Sequence, residues 1–562
     1  MKKVLKWLWN RLRNVLPPVL FFVVTFGIFM PCSLFIGNST EFVIGFKEVY
    51  PLIVCTVIIG FAVLMILGFL LVPDVVFRVY SALVYGVTLG LYIQGNFMNP
   101  HFGVLNGSDI DWSQYKVYSI VGIIVWALCL IVPMVLIFAK KKIGSALIKW
   151  SSYAFVVMQV VALVSVLMSA SEAETKKGDY SNVLLKKDLY EYSSDENIIV
   201  FLVDTLDKDY YEEIVEPAPE YQEYLKNFTY YDNCITGASP TVTAIPMLLT
   251  GEMYTDLSQE FSDYQIEAYE KNTLFRDMQA NNYKVNLFTE TTLANGIAEN
   301  EVDNMKGCDQ FAITDKKGFT ECLYKFASFY AMPVALKQHF WFYSEEFNQY
   351  VGLTNEEYEA YQFDDPQLYK DYKSQGITLT DDRNVFTFYH MKGSHNPYDA
   401  DEHLNAVASG SSTLEKQTKG CFNFIFECMD EMKEKGIYDN STIIITADHG
   451  QKDVYQSGAV MVKRKGEHKE YSTNSAPVMF DNLRATIASE FLSDYSAYGE
   501  ALEDVPDEPR ERLQTVHMIG QDVFPDNPEV ADHAFARFAF TGDSKDMSKM
   551  TVIPWADHRK QK

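Results

Sequence analysis

Apolar and polar positions divide this chain into two unlike halves. Residues 1–170 contain five stretches of more than twenty residues free of Asp, Glu, Lys and Arg: 14–40, 49–73, 79–108, 117–139 and 150–171. Each supplies the roughly twenty apolar residues that cross a bilayer core. The third is the weakest, because its apolar part ends near Ile93, where "QGNFMNP" begins. A secretory signal peptide is the alternative for the first, but no small-residue cleavage site follows it and further spans do. Beyond Ala170 the pattern shortens. "NIIVFLVDT" (197–205), "YKVNLFTE" (283–290), "NVFTFYHM" (384–391) and "STIIITADHG" (441–450) are nearly continuous apolar runs that stop at polar residues. This is the pattern of parallel strands buried on both faces. Between the last two, "LEKQTKGCFNFIFECMDEMKEKG" (414–436) carries apolar residues at helical spacing and ends at a Gly stop. Strands alternating with helices predict an α/β domain with a mainly parallel sheet flanked by helices.

The boundaries follow from these shifts. Residues 1–170 are expected to form a five-helix membrane domain and 171–196 a polar linker with one short helix. Residues 197–490 form the α/β domain, and 491–562 an extension that completes it, closing the sheet edge with β-structure around "HAFARFAFTG" (533–542). A helix is expected at "LRATIASEFL" (483–492). The aromatic segment 321–375, with "HFWFYSEEFNQY", reads as a membrane-interface element, a buried helix or a cap over a site.

Charge sharpens the topology. Lys2, Lys3, Lys6, Arg11 and Arg13 precede the first span, Arg78 lies between the second and third, and Lys140, Lys141, Lys142 and Lys149 lie between the last two. The opposite connections hold only Lys47 and Lys116. The positive-inside rule puts the N-terminus in the cytoplasm. Five crossings then make this a multi-pass protein of the cell membrane with its α/β domain extracytoplasmic. The first 170 residues carry a net +7, leaving −33 of the chain's −26 on the remainder. So acidic a domain excludes nucleic acid as a partner, since that affinity rests on basic side chains neutralising phosphates. Of eight cysteines, Cys234, Cys308, Cys322, Cys421 and Cys428 lie outside the spans. Their spacing matches no zinc framework, and Cys308 with Cys322 is one conceivable disulfide.

Reactive groups in open α/β sheets gather beyond the carboxyl ends of strands. That rule selects Asp204, His390, Asp448 and His449. A carboxylate and an imidazole side by side at a strand end suit a hard-to-borderline divalent cation. His395 and His468 also stand in polar surroundings, whereas the other six histidines read as surface or packing residues.

"NIIVFLVDT", "SPTVTAIPMLLTG" (239–251), "HMKGSH" (390–395) and "DNSTIIITADHG" (439–450), in that order, resemble the sulfatase-type branch of the alkaline phosphatase superfamily. Five spans followed by an outer catalytic domain are similar to its lipoteichoic acid synthases and lipid A phosphoethanolamine transferases. The resemblance implies a divalent metal ion, Mn or Zn ahead of Mg or Ca, held by Asp204, Thr241, Asp448 and His449. Two family spacings, ten residues before the glycine of "LLTG" and five before Pro246, both place the nucleophile at Thr241; Thr243 and Ser239 are rivals. N–H groups at the start of a helix entered at Pro246 would hold phosphate oxygens. His395 and His468 would sit on the substrate phosphate, protonate the leaving group or bind a second metal, with His390 the weaker candidate for substrate binding and His395 taken as the catalytic one. Sulfatases make formylglycine from a Cys or Ser followed by Pro and Arg, whereas this chain has Thr241 and Ile245, so the sequence argues against conventional sulfatase chemistry. Both transferase families carry Glu where this chain has Asp204, a shorter ligand of equal charge.

The expected function is therefore a membrane-anchored, metal-dependent transferase with a membrane lipid donor and an extracytoplasmic glycan or lipid acceptor. It would move a phosphoglycerol or phosphoethanolamine type of group through a phospho-threonine. A phosphate or sulfate ester hydrolase on the same scaffold is the alternative, and a non-catalytic membrane sensor or assembly factor is the third reading.

Overall fold

The computed structural model describes residues 2–38, 42, 44–100, 102, 110, 112–176, 182–256, 259–307, 311–342, 344–353, 359–450, 456–517, 535–544 and 546–553. They divide into two compact units, one from 1–179 with 310–354 and one from 180–309 with 355–562.

In the first unit, five helices are long and apolar enough to cross a membrane: Val4–Gly37, Phe46–Leu70, Asp74–Phe97, Trp112–Ala139 and Lys141–Met168. The third is helical as far as Phe97, beyond the point where its apolar run fades. Its Gly86 packs on the fourth helix so closely that a Cβ there would lie 2.6 Å from the Cys129 carbonyl oxygen. The first helix widens into a π-turn over Val23–Phe29. The aromatic segment is divided between the two units. Its helix Lys316–Ala331 belongs to the first, where Phe319, Cys322, Leu323 and Phe326 share a buried cluster with Met30, Phe35 and Phe42. Its helix Asp365–Gln375 belongs to the second. Amphipathic spacing reports that a helix buries one face, and it does not report against what. Cys308 lies outside the described residues, and Cys322 is a buried free thiol.

The second unit is built on seven strands: β1 (Asn197–Val203), β2 (Thr229–Tyr231), β3 (Tyr283–Phe288), β4 (Asn384–Met391), β5 (Ser441–Thr446), β6 (Val460–Lys463) and β7 (Ser472–Asn474). Their order across the sheet is β7-β2-β6-β5-β1-β4-β3. β1 lies parallel to both β4 and β5, β3 is parallel to β4, and β6 returns antiparallel to β5. All seven residues of β1 are buried. Ile198–Val203 have no polar side chain because sheet neighbours flank them on both edges and other elements cover both faces. Helix α1 (Thr241–Thr250) follows the turn after Gly237, and α2 (Leu414–Glu434) is capped by the Thr413 side chain accepting the Lys416 N–H. Phe422, Phe424, Ile425, Cys428, Met429 and Met432 of α2 are buried at helical spacing. The expected helix after Asn482 covers Asn482–Ala488.

Two expectations are corrected. The presumed linker holds no separate helix among its described residues. It forms short strands Asn182–Leu184 and Glu191–Ser193, whose Leu184 and Tyr192 are fully buried. The C-terminal tail does not extend the main sheet among the described residues. Its strands Glu511–His517, Phe535–Thr541 and Met550–Ile553 form a separate antiparallel sheet, whose own apolar faces supply Val516, Phe538 and Phe540 to the interior.

Candidate functional site

Strand register brings the acidic residues together. Thr446 of β5 pairs with Leu202 of β1, so continuing both strands by two residues sets Asp448 beside Asp204 at their carboxyl ends. Asp204, Asp448 and His449 each offer a ligand atom within 4.8 Å of the others. All three are buried.

Backbone geometry aims these groups. Thr205 adopts φ +53°, and from that conformation its N–H donates to Asp448 Oδ1 over 2.9 Å. For a β-branched residue this left-handed conformation costs about 1–3 kcal/mol and persists where surrounding structure enforces it. The His449 N–H donates to the same oxygen at 2.8 Å. Asp448 Oδ2 is also buried and has no conventional hydrogen bond; it lies 3.3 Å from His449 Nε2. Burial pushes the Asp448 carboxyl up, but its surroundings, the Thr205 N–H and the Thr241 hydroxyl among them, hold it net below the usual carboxylate range. A buried carboxylate kept ionised, with one oxygen making no conventional hydrogen bond, suits a cation.

His449 Nδ1 lies 2.7 Å from the Gly450 carbonyl oxygen, which can only accept. The proton therefore sits on Nδ1, and Nε2 turns its lone pair inward. Thr241 Oγ1 lies 3.3 Å from that Nε2. Asp204, Asp448, His449 and Thr241 thus offer the oxygen and nitrogen donors that a divalent metal ion needs.

α1 begins at Thr241 itself, not at Pro246. The Thr243 and Ala244 N–H groups bond back to the Pro240 carbonyl, while those of Thr241 and Val242 have no acceptor within the helix. Pro246 is tolerated inside because the Val242 carbonyl, whose helical donor it would have been, accepts from Gln265 Nε2 at 3.2 Å. The rival Thr243 is buried, its hydroxyl donating to the Pro240 carbonyl at 2.9 Å; Ser239 is buried as well. The C-terminal sheet braces the approach to Thr241. The Ser239 N–H donates to the Thr515 carbonyl at 3.0 Å, and the Thr515 N–H to Gly237 at 2.9 Å.

Of the three other histidines, two lie at this end of the sheet. His390 is completely buried, with Nε2 3.3 Å from Asp204 Oδ2 and Nδ1 2.9 Å from Thr289 Oγ1; burial pushes its imidazole down to about 3. His395 is half-buried in the turn after β4, and burial pushes it down to about 4. His468 is not brought to the cluster. Its exposed ring lies 3.9 Å from Asp439, which precedes β5. Because β6 runs antiparallel to β5, the residues after Lys463 return to the amino ends of the parallel strands, away from Asp204.

Sequence reasoning passed over Thr205, Thr289, Asp365 and Gly393. Gly393 had a signal in "HMKGSH": at φ +60°, a Cβ would lie 2.6 Å from the Asp204 nitrogen. Thr205 and Thr289 lie just past strand ends and Asp365 opens a helix, each with its partners far away in sequence.

The sulfatase family model matches residues 196–476, half of the chain. Among curated proteins, none matches. Solved structures similar to the chain include a phosphonate monoester hydrolase from Silicibacter pomeroyi, 13% identical, covering 64% of this chain and 88% of its own with a TM-score of 0.36. A lipoteichoic acid synthase from Listeria monocytogenes is 12% identical over 67% of this chain and 90% of its own, with a TM-score of 0.35. An integral membrane lipooligosaccharide phosphoethanolamine transferase from Neisseria meningitidis is 10% identical over 85% of this chain and 95% of its own, with a TM-score of 0.30. With the family match spanning β1 to β7 and the Asp204, Thr241, Asp448 and His449 cluster inside it, this chain belongs to the sulfatase family.

Proposed function

We propose that this protein is a membrane-anchored, metal-dependent transferase that moves a phospho-alcohol group, of phosphoglycerol or phosphoethanolamine type, from a lipid donor to an extracytoplasmic glycan or lipid. The observation that carries the reading is the Thr241 hydroxyl, 3.3 Å from His449 Nε2 at the mouth of a buried carboxylate pair. A threonine cannot become formylglycine, so the hydroxyl itself is the nucleophile of this site.

Asp204, Asp448, His449 and Thr241 would hold the metal. When bound, it supplies positive charge that favours the Thr241 alkoxide and neutralises a transferring phosphoryl group. The free N–H groups at the start of α1 bind the phosphate oxygens and orient phosphorus toward Oγ1. Thr241 Oγ1 then forms its bond to phosphorus as the bond from phosphorus to the donor oxygen breaks. His395 gives a proton to that departing oxygen. It is neutral while the site is empty and gains its proton as the anionic phosphodiester enters. The acceptor hydroxyl or amine returns its own proton to His395 and displaces Thr241, regenerating the enzyme. Tethering by membrane helices suits a donor whose tail lies in the bilayer, and the positive-inside pattern supports an extracytoplasmic site.

A hydrolase using water as the acceptor shares every step up to the phospho-threonine. The test is to incubate the full-length protein in detergent with a phosphodiester lipid, map the adduct by peptide mass spectrometry, and count product with and without a hydroxyl acceptor. Modified Thr241 with acceptor-dependent turnover is expected. Equal release in water alone assigns the hydrolase, and the absence of any adduct with an inert Mn2+-loaded protein revives the sensor reading.

A further inference from the structure

We propose that Asp365 is a positioning residue of this site, holding the turn from Met391 to His395 against the backbone of Asp204. The proposal rests on reading Asp204 as a metal ligand. In "FDDPQLY" the helix Asp365–Gln375 is capped by the neighbouring residue: Asp364 Oδ1 accepts the Gln367 N–H at 3.0 Å. Asp365 is not needed for that task, and its side chain turns inward and is 2% exposed. There, one carboxylate oxygen accepts the Lys392 N–H at 2.8 Å, and the other accepts the Gly393 N–H at 2.9 Å and the Cys421 thiol at 3.2 Å. Burying a carboxylate is expensive unless donors surround it. Three donors converge on this one, two of them from consecutive residues of a single turn.

The far side of that turn lies against Asp204. The Asp204 N–H donates to the Met391 carbonyl at 3.1 Å, and its carbonyl accepts the Ser394 N–H at 2.9 Å. Gly393 at φ +60° permits this approach, since a Cβ would stand 2.6 Å from the Asp204 nitrogen. Gln417 of α2 fixes the turn from a third direction, its Nε2 donating to the Gly393 carbonyl at 2.8 Å and to the His395 carbonyl at 2.9 Å. Both backbone polar groups of Asp204 are therefore held by a turn whose own N–H groups are held by Asp365. His395 closes the same turn, its N–H bonded to the Lys392 carbonyl at 3.0 Å. Partners that orient a metal ligand tune its affinity, so a loosened turn is expected to weaken metal binding.

The experiment titrates Mn2+ and, separately, Zn2+ into the full-length protein in detergent by calorimetry, wild type against Asp365→Asn. The amide oxygen retains one backbone N–H, but the NH2 group faces the other. Ligand-orienting partners of this kind typically change metal affinity about 10–100-fold, and that weakening is the expected result, in a variant whose circular dichroism is unchanged. Gly393→Ala, which presses the same turn onto Asp204 from the opposite side, is the second variant and is expected to weaken binding in the same direction. Wild-type affinity in either folded variant, with only the melting temperature lowered, overturns the proposal and leaves Asp365 a structural residue. A wild type that binds neither ion overturns the metal reading, and this proposal with it.

Discussion

Replacing Asp448 with asparagine keeps the shape of the side chain and removes its charge, so it separates the fold from the metal. The amide oxygen still accepts the Thr205 and His449 N–H groups, which now lie 2.9 and 2.8 Å from Oδ1. Exchanging a charged acceptor for a neutral one weakens each bond by about 1 kcal/mol. Against that roughly 2 kcal/mol stands the relief of removing a buried charge whose second oxygen has no conventional hydrogen bond. The metal-free variant is therefore expected within about 2 kcal/mol of the metal-free wild type. The metal response differs sharply, because the NH2 group stands where Oδ2 faced the cation. Ligand at one hundred times its dissociation constant stabilises by about 2.7 kcal/mol. At about 2 °C per kcal/mol for a domain this large, Mn2+ raises the wild-type melting temperature by about 5 °C, and EDTA reverses it. Differential scanning fluorimetry of wild type and Asp448→Asn, with Mn2+ and with EDTA, reads this directly. An equal Mn2+-dependent rise in the variant refutes Asp448 as a ligand, and no rise in wild type refutes a metal at this cluster.

Thr241→Ser keeps a nucleophilic oxygen and is expected to retain phosphodiester turnover within about tenfold, whereas isosteric Thr241→Val loses it by at least about a thousandfold, with no adduct by mass spectrometry. Gly251→Ala is expected to cost about 1–2 kcal/mol in urea unfolding, because Gly251 ends α1 at φ +77°, a left-handed conformation that a Cβ disfavours. Lys463, buried with Nζ on the Tyr438 and Ser441 carbonyls, is pushed down by burial to about 8 from an ordinary 10.5. The unfolded chain then binds more protons between these values, so stability rises with pH over about 8 to 10.5, by up to roughly 3 kcal/mol, and Lys463 adds no pH dependence below 8. Comparing chemical denaturation of wild type and Lys463→Met at pH 7 and pH 10 checks the sign: wild type gains on the variant as pH rises.

One-dimensional patterns in the sequence determined which segments are long and apolar enough to cross a membrane and which form the central sheet. Charge-free runs of bilayer length and apolar runs ending at Asp204, His390 and Asp448 follow from burial alone, and burial leaves its period in the order of residues. The polar residue closing such a run lies at a strand end, so Asp204, Asp448 and His449 are legible as strand-end candidates, while their meeting depends on the register of β1 and β5. Four matters needed the third dimension. His468 sits in a segment as polar as that of His395, but only the antiparallel return of β6 shows that it lies at the other end of the sheet. "SPTVTAIPMLLTG" suggests a helix entered at its proline, while the helix starts at Thr241 because Gln265, from elsewhere in the chain, satisfies the carbonyl that Pro246 leaves open. The lone-pair direction of His449 depends on the Gly450 carbonyl, and the placement of Asp204 depends on a turn clamped by Asp365. Spacing along the chain encodes which side of an element is buried. Which residue a buried polar group meets is set by register and loop return, and these exist only once the sheet has formed.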